Sequence, residues 1–117
     1  MPPVEFSTGG IFNGEIYNYK EIREDLREIR YYYGMSDLFK AGSKLVPPKA
    51  IVEKVEKYNK AVSNAPAKLY AVYIGLYVHN NTQAVLAEDW GYTDEYIKQL
   101  NNKLCEFLKK EFEKQSN

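Results

Sequence analysis

The chain has 117 residues, 16 basic and 16 acidic side chains, and a hydrophobic content of 44%. This length suits one domain with one core, and the mixed composition is typical of a folded globule rather than a disordered chain. One cysteine excludes an internal disulfide. The apolar run 69–78 is too short for a membrane helix, which needs about 20 residues, and the first residues lack the features of a secretion signal. We therefore expect a single soluble, cytoplasmic domain over 1–117, with a composition that also suits a thermophile.

The first eighteen residues carry the chemistry of loops and turns. Asn13-Gly14 lies between two short apolar pairs, at 11–12 and 16–17. This arrangement is typical of a two-residue hairpin turn, because both turn positions need a positive φ. We expect a hairpin or an ordered arm over 1–18, followed by a helical bundle over 19–115.

Two amphipathic helices are predicted in the first half of the chain. The first covers 18–33, where Asn18 can cap its start and Gly34 can end it. Its apolar positions recur at three- and four-residue steps and are Tyr19, Ile22, Leu26, Ile29 and Tyr33. A short helical piece is expected over 36–41. Pro47-Pro48 then introduces the second helix, whose apolar face consists of Ile51, Val55, Tyr58 and Val62.

The apolar run 69–78 fits two structures. Tyr, Val and Ile favour a strand, but Pro66 suits a helix start and the chain offers few partner strands, which favours a central buried helix. In that helix, Ala71 and Gly75 would form a narrow stripe that lets another helix approach closely. If the run were a strand paired with the N-terminal hairpin, the fold would be α+β instead.

Two further helices are predicted around a tight turn at Gly91, a short one over 82–89 and a long one over 94–115. The core face of the long helix consists of Ile97, Leu100, Leu104, Phe107, Leu108 and Phe112. The predicted fold is therefore mainly α, a bundle of about five helices behind an N-terminal hairpin or arm.

Residues 83–102 resemble the generic helix-turn-helix pattern of DNA-binding proteins. Ala87 precedes Gly91 by four residues, as the crossing of two helices at a glycine turn requires. The apolar packing positions of the motif are occupied by Leu86, Trp90, Tyr92, Ile97 and Leu100. The resemblance implies that 93–103 is a recognition helix. Asp94 and Glu95 at its start would repel phosphate but complement the helix dipole, so a purely structural corner is the alternative.

Lysine is concentrated in the middle of the chain, since residues 40–68 hold seven lysines and two glutamates. This local excess either binds phosphates or serves as a solubilising face. The leading hypothesis is a DNA-binding accessory protein that combines a Lys-rich face with the recognition helix. Its predicted nucleic-acid-binding residues are Lys49, Lys54, Lys57, Lys60, Lys98, Gln99, Asn101, Asn102 and Lys103.

The rival hypothesis is a non-enzymatic interaction or assembly subunit that binds itself or another protein. The three consecutive tyrosines 31–33 point in nearly every direction around a helix, so at least one ring should be exposed, and exposed tyrosine is a common interface anchor. His79 is the only histidine, which excludes a histidine-centred triad and a multi-histidine metal site. No catalytic residue, metal or cofactor is predicted.

A short segment resembles a known enzyme family. Residues 12–23 read Phe-Asn-Gly-Glu-Ile-Tyr-Asn-Tyr-Lys-Glu-Ile-Arg, and this segment is similar to the glutamine-binding segment of class II glutamine amidotransferases, asparagine synthetases above all. The resemblance implies that Asn13 and Gly14 form an oxyanion hole and that Glu15 holds the amino group of glutamine. The family's nucleophile is an N-terminal cysteine, whereas Pro2 follows Met1 here, so the resemblance does not extend to glutaminase activity. It is either a relic of a shared segment or a coincidence.

Overall fold

The computed structural model describes residues 18–36 and 47–115, and these ranges form an all-α bundle of five helices without a strand. The helices are α1 (Tyr19–Gly34), α2 (Lys49–Val62), α3 (Ala67–Tyr73), α4 (Gln83–Trp90) and α5 (Asp94–Gln115). The predicted fold class is confirmed. The predicted hairpin or arm over 1–18 and the short helix over 36–41 lie almost wholly outside the described residues.

The starts of the first helices follow from local chemistry. Asn18 Oδ1 accepts a hydrogen bond from the Glu21 amide at 2.8 Å, and Asn18 Nδ2 donates to the Glu21 carboxylate at 2.9 Å. This reciprocal pair satisfies a backbone donor that the helix itself leaves free. α2 and α3 begin directly after Pro48 and Pro66, where a missing N–H costs nothing. The predicted starts of these helices are confirmed.

α5 is the longest helix and contacts each of the other four. Its predicted core face is confirmed, because five of the six residues are buried: Ile97, Leu100, Leu104, Leu108 and Phe112. The sixth, Phe107, is half-buried. α1 runs antiparallel to α5, since the Tyr19 ring lies 5.9 Å from Lys109 Nζ while Arg23 lies beside Asn102. α5 is therefore the element against which the rest of the bundle is assembled.

The run 69–78 is helical, so the strand alternative is wrong, but its second half is not an α-helix. α3 continues into a π-helical turn at Ile74–Val78, in which the His79 amide donates to the Ile74 carbonyl, five residues back, at 2.8 Å. Gly75 lies in this turn, and a Cβ there would stand 2.7 Å from Leu86 Cδ1 of α4. The predicted close approach therefore occurs at Gly75, where α4 packs on the turn.

A polar network joins α1 and α2 at the edge of the core. Tyr58 is fully buried, and its hydroxyl donates to Asp25 Oδ2 at 2.6 Å. Lys54 Nζ lies 2.9 Å from Asp25 and 2.8 Å from Glu28. The hydrogen bond to Glu28, together with the one to Asp25, raises the pKa of Lys54 above its ordinary value, against the opposing effect of partial burial. These charges are therefore engaged within the bundle.

Candidate functional site

The predicted helix, tight turn and helix are confirmed between α4 and α5. Gly91 ends α4 in the left-handed region, with φ 75° and ψ 29°, and the Tyr92 amide donates to the Ala87 carbonyl at 2.8 Å. Thr93 Oγ1 then accepts from the Tyr96 amide at 3.1 Å and caps α5. Ala87 is 1% exposed, so it occupies the crowded crossing position that the motif assigns to a small residue.

Replacing Gly91 with alanine is expected to lower the free energy of unfolding by about 1 kcal/mol, since a Cβ disfavours the left-handed region. Apart from the two chain neighbours, no atom of a described residue lies within 4 Å of the position a Cβ would take, so the loss reports backbone strain and not a steric clash. Gly91→Asn should lower the free energy of unfolding by less than Gly91→Ala, because asparagine tolerates the left-handed region. Urea denaturation of the three proteins measures the difference, and equal stability of glycine and alanine would contradict the assignment.

Three of the five predicted packing positions are buried, namely Leu86, Ile97 and Leu100. Trp90 is half-buried, and Tyr92 is 40% exposed. The prediction that Tyr92 packs inside the motif is therefore wrong. The left-handed turn at Gly91 carries its ring outward, where it meets Tyr96 of the first turn of α5 and Lys68 of α3 instead.

The predicted residues of the recognition helix do not share one environment. Lys98, Gln99 and Lys103 are exposed on α5. Asn101 is half-buried, and its Oδ1 accepts from the Tyr77 hydroxyl at 2.6 Å. Asn102 Oδ1 accepts a weak hydrogen bond from Arg23 at 3.5 Å. The two asparagines therefore tie α5 to the rest of the bundle, and three residues of the predicted five face solvent.

The predicted lysines of α2 are also divided. Lys49 and Lys60 are exposed. Lys54 is held by the two carboxylates of α1, and Lys57 Nζ lies 4.5 Å from the centroid of the Phe112 ring. The pairing of Lys54 with two carboxylates therefore reduces the charge that α2 offers to a phosphate backbone.

The two groups of predicted residues lie on different helices, the four lysines on α2 and the residues of 98–103 on α5. α2 meets α5 near its carboxyl end, where Asn64 Nδ2 donates to Glu111 Oε2 at 3.0 Å and Tyr58 packs against Phe112. From there back to the segment 98–103 the helix rises roughly 12–21 Å at 1.5 Å per residue. Lys54 instead meets α1 at Asp25 and Glu28, and Arg23 of α1 contacts Asn102.

Charge at the α4–α5 corner is negative. Residues 83–97 contain no lysine or arginine and four carboxylates, Glu88, Asp89, Asp94 and Glu95. All four are exposed, and none forms an ion pair with another described residue. A surface of this sign attracts cationic partners and repels phosphate.

A shallow aromatic depression lies beside this corner, and we call it the aromatic groove. Its volume is about 570 Å³, and its lining residues are Ala67, Lys68, Ala71, Trp90 and Tyr92. The Trp90 and Tyr92 rings are T-shaped at 6.4 Å, and those of Tyr92 and Tyr96 at 4.7 Å. Lys68 Nζ lies 5.3 Å from the Tyr92 centroid and 5.6 Å from that of Tyr96. The groove thus combines rings, small side chains and one cation.

Sequence reasoning missed the aromatic groove. The available signal was the grouping of Trp90, Tyr92 and Tyr96 within seven residues around the glycine turn. The contribution of α3 carries no such signal, since Lys68 is 24 residues from Tyr92 in the chain.

Other chemistry is limited in the part of the chain that the structure describes. No group of three His, Cys, Asp or Glu side chains there could hold a metal ion. Cys105 is fully buried, and burial raises the pKa of its thiol, which opposes the reactive thiolate form. None of the helices described has the length and apolar character needed to cross a bilayer.

The predicted exposure of one ring in the triple tyrosine is confirmed, since Tyr31 is 70% exposed. Asn13, Gly14 and Glu15 of the amidotransferase-like segment lie outside the described residues, so their roles stay a prediction. Comparison of the whole chain with protein-family models, curated proteins and solved structures gave no match.

Proposed function

We propose that this chain is a non-enzymatic protein-interaction module that holds a partner protein in the aromatic groove. The observation that carries the proposal is the group of aromatic rings at the corner after Gly91, where Tyr92 is 40% exposed and Trp90 is half-buried. Tyrosine and tryptophan are the usual anchors of protein interfaces, because they bury a large area at a small cost in side-chain entropy. A cytoplasmic location belongs to the same proposal, since the single cysteine has no partner for a disulfide.

Helix packing supports a preformed site. Lys68 donates from α3 to the Tyr92 hydroxyl at 3.3 Å and to the Tyr96 hydroxyl at 3.4 Å, so the groove spans two packed helices. Trp90 is at the end of α4, whose last turn is fixed by the left-handed Gly91. A partner would therefore meet rings whose positions are set before binding, which lowers the entropy cost of association.

Selection of displayed peptides tests the proposal. A random peptide library is selected on the immobilised wild-type protein and, in parallel, on Tyr92→Ser, which removes a ring from the groove. Tyr31→Ser is the matched control, because it removes an exposed tyrosine from α1, outside the groove. We expect peptides that bind the wild type and the control but not Tyr92→Ser. If no peptide shows this dependence on Tyr92, the proposal fails.

DNA binding is the second candidate function, and the helix-turn-helix geometry around Gly91 is the observation that favours it. Lys98, Gln99 and Lys103 would face the duplex, and Asp94 and Glu95 would oppose phosphate at the start of the same helix. Duplex DNA titrated at low salt distinguishes the candidates. Binding that weakens with added salt, and weakens further in Lys98→Gln, would favour DNA binding, whereas no binding removes this candidate.

A further inference from the structure

We propose that the partner presents a basic segment to the aromatic groove, with an arginine side chain stacked on Trp90 and paired with Asp89. This inference rests on the proposed function and names the chemistry of the partner. Its three grounds are a cation already held by the rings, nearby carboxylates that form no ion pair with a described residue, and a second depression that shares Trp90 and contains Asp89.

The rings at the corner already bind a cation. The Lys68 ammonium lies within 6 Å of two ring centroids, those of Tyr92 and Tyr96, and both hydroxyls accept hydrogen bonds from it. An ammonium in this position is attracted by the negative faces of the rings. Tyr92 also stands T-shaped against Trp90, whose indole is the strongest cation–π partner among the side chains. The same cluster of rings thus includes Trp90, which can bind a cation and is not occupied by Lys68.

The charges around the groove select a basic partner. The four carboxylates of 83–97 are exposed and form no ion pair with a described residue, and one of them, Asp89, lines the depression next to the groove. Lys68, the charged residue among those that line the groove itself, is engaged by the Tyr92 and Tyr96 hydroxyls. An acidic segment or a nucleic acid would meet repulsion from the carboxylates, whereas a basic segment would neutralise them. Arginine fits better than lysine because its planar guanidinium stacks on an aromatic ring and pairs with a carboxylate at the same time.

The shape of the surface brings the ring and the carboxylate together. The groove shares Ala71 and Trp90 with a second depression of about 370 Å³, which Asp89 and His79 also line. A peptide lying across the shared Trp90 ring would therefore reach from the groove to Asp89 in the second depression.

Fluorescence of Trp90 tests the inference directly, because it is the only tryptophan of the chain. The probes are three short peptides of the same length in which glycine alternates with arginine, glutamate or proline. We expect the arginine peptide to change the emission saturably, and its affinity to fall severalfold when salt is raised from about 50 to about 500 mM, because charge pairing is screened. The glutamate and proline peptides should leave the emission unchanged.

The Asp89→Asn variant tests the proposed ion pair. Glu106→Gln is the matched control, because it neutralises an exposed carboxylate on α5, away from both depressions. We expect Asp89→Asn to weaken the arginine peptide about fivefold and the control to leave it unchanged. No response of Trp90, an equal response to the proline peptide, or equal affinity of the Asp89→Asn variant would overturn the inference. If peptide selection yields Tyr92-dependent peptides without basic residues, this inference fails while the interaction module stands. If selection yields none, both fail.

Discussion

Replacing Tyr58 with alanine is expected to lower the free energy of unfolding by about 3–5 kcal/mol, as large-to-small changes of buried aromatic residues do. The Tyr58 side chain is fully buried, its ring is T-shaped against Phe112 at 4.8 Å, and its hydroxyl donates to Asp25. The substitution removes the contact that joins α2 to both α1 and α5. Urea denaturation followed by far-UV circular dichroism measures the loss, which is a large part of the stability of a typical domain, about 5–15 kcal/mol.

The variants Tyr58→Ala and Tyr58→Phe separate the contribution of the Tyr58 ring to stability from that of its hydroxyl. Tyr58→Phe keeps the ring and removes a hydrogen bond to a charged group, so we expect a loss of about 1.5–3 kcal/mol, limited by the remaining contact of Asp25 with Lys54. Tyr31→Ala removes an exposed ring and should change stability by no more than about 0.5 kcal/mol. If Tyr58→Ala and Tyr58→Phe were equally stable, the ring would contribute nothing, and the proposed role of Tyr58 at the junction of three helices would be wrong.

The helix bounds could be predicted because their causes are local. Asn18 sits three residues before Glu21, and Gly91 sits where α4 must stop, so each signal can be read within one turn of helix. The apolar spacing from Ile97 to Phe112 likewise reports the buried face of α5 without knowledge of its neighbours. These features depend on the chain within a few residues of themselves.

The π-helical turn could not be predicted in the same way. The sequence of 74–78 is compatible with an α-helix, and its wider turn goes together with contacts made far along the chain, where Leu86 packs on Gly75. Asn80 follows the turn with a positive φ of 62°, and its side-chain amide donates to the Arg30 carbonyl on α1 at 3.1 Å. Tertiary packing therefore decides this geometry, which no local pattern encodes.

In the candidate site, too, some features have local causes in the sequence and others depend on tertiary contacts. The corner at Gly91 follows from local spacing, but the partners of the predicted nucleic-acid-binding residues do not. Lys54 meets carboxylates that are 26 and 29 residues away, at Glu28 and Asp25, and Asn101 meets Tyr77, 24 residues away. The sequence alone indicates no side-chain partner for a lysine in a basic segment or for an asparagine on a helix surface. Their engagement in the bundle depends on which helices become neighbours.

Stability is expected to fall above pH 10, because Tyr73 and Tyr77 ionise at a higher pH in the folded protein than in the unfolded chain. Burial, with a smaller contribution from Cys105, raises the pKa of Tyr77 from an ordinary value of 10 to about 12. Burial also raises the pKa of Tyr73 well above its ordinary range. Each hydroxyl stays protonated in the folded protein while the unfolded chain loses its proton. The stability contributed by these groups is therefore complete below pH 10 and is lost as the pH rises.

For Tyr77 alone the loss amounts to roughly 2 kcal/mol between pH 10 and pH 12, since the slope approaches about 1.4 kcal/mol per pH unit only in the middle of this interval. Tyr77→Phe removes this titration and also the hydrogen bond to Asn101, which costs about 1 kcal/mol at neutral pH. We therefore expect the variant to be less stable than the wild type at pH 7 and more stable at pH 12, so that the two curves cross near pH 11. Tyr31→Phe, which removes an exposed hydroxyl, is the control and should follow the wild type throughout. Urea denaturation at a series of pH values measures the curves. Parallel curves for the wild type and Tyr77→Phe would show that this hydroxyl titrates alike in the folded and unfolded chains.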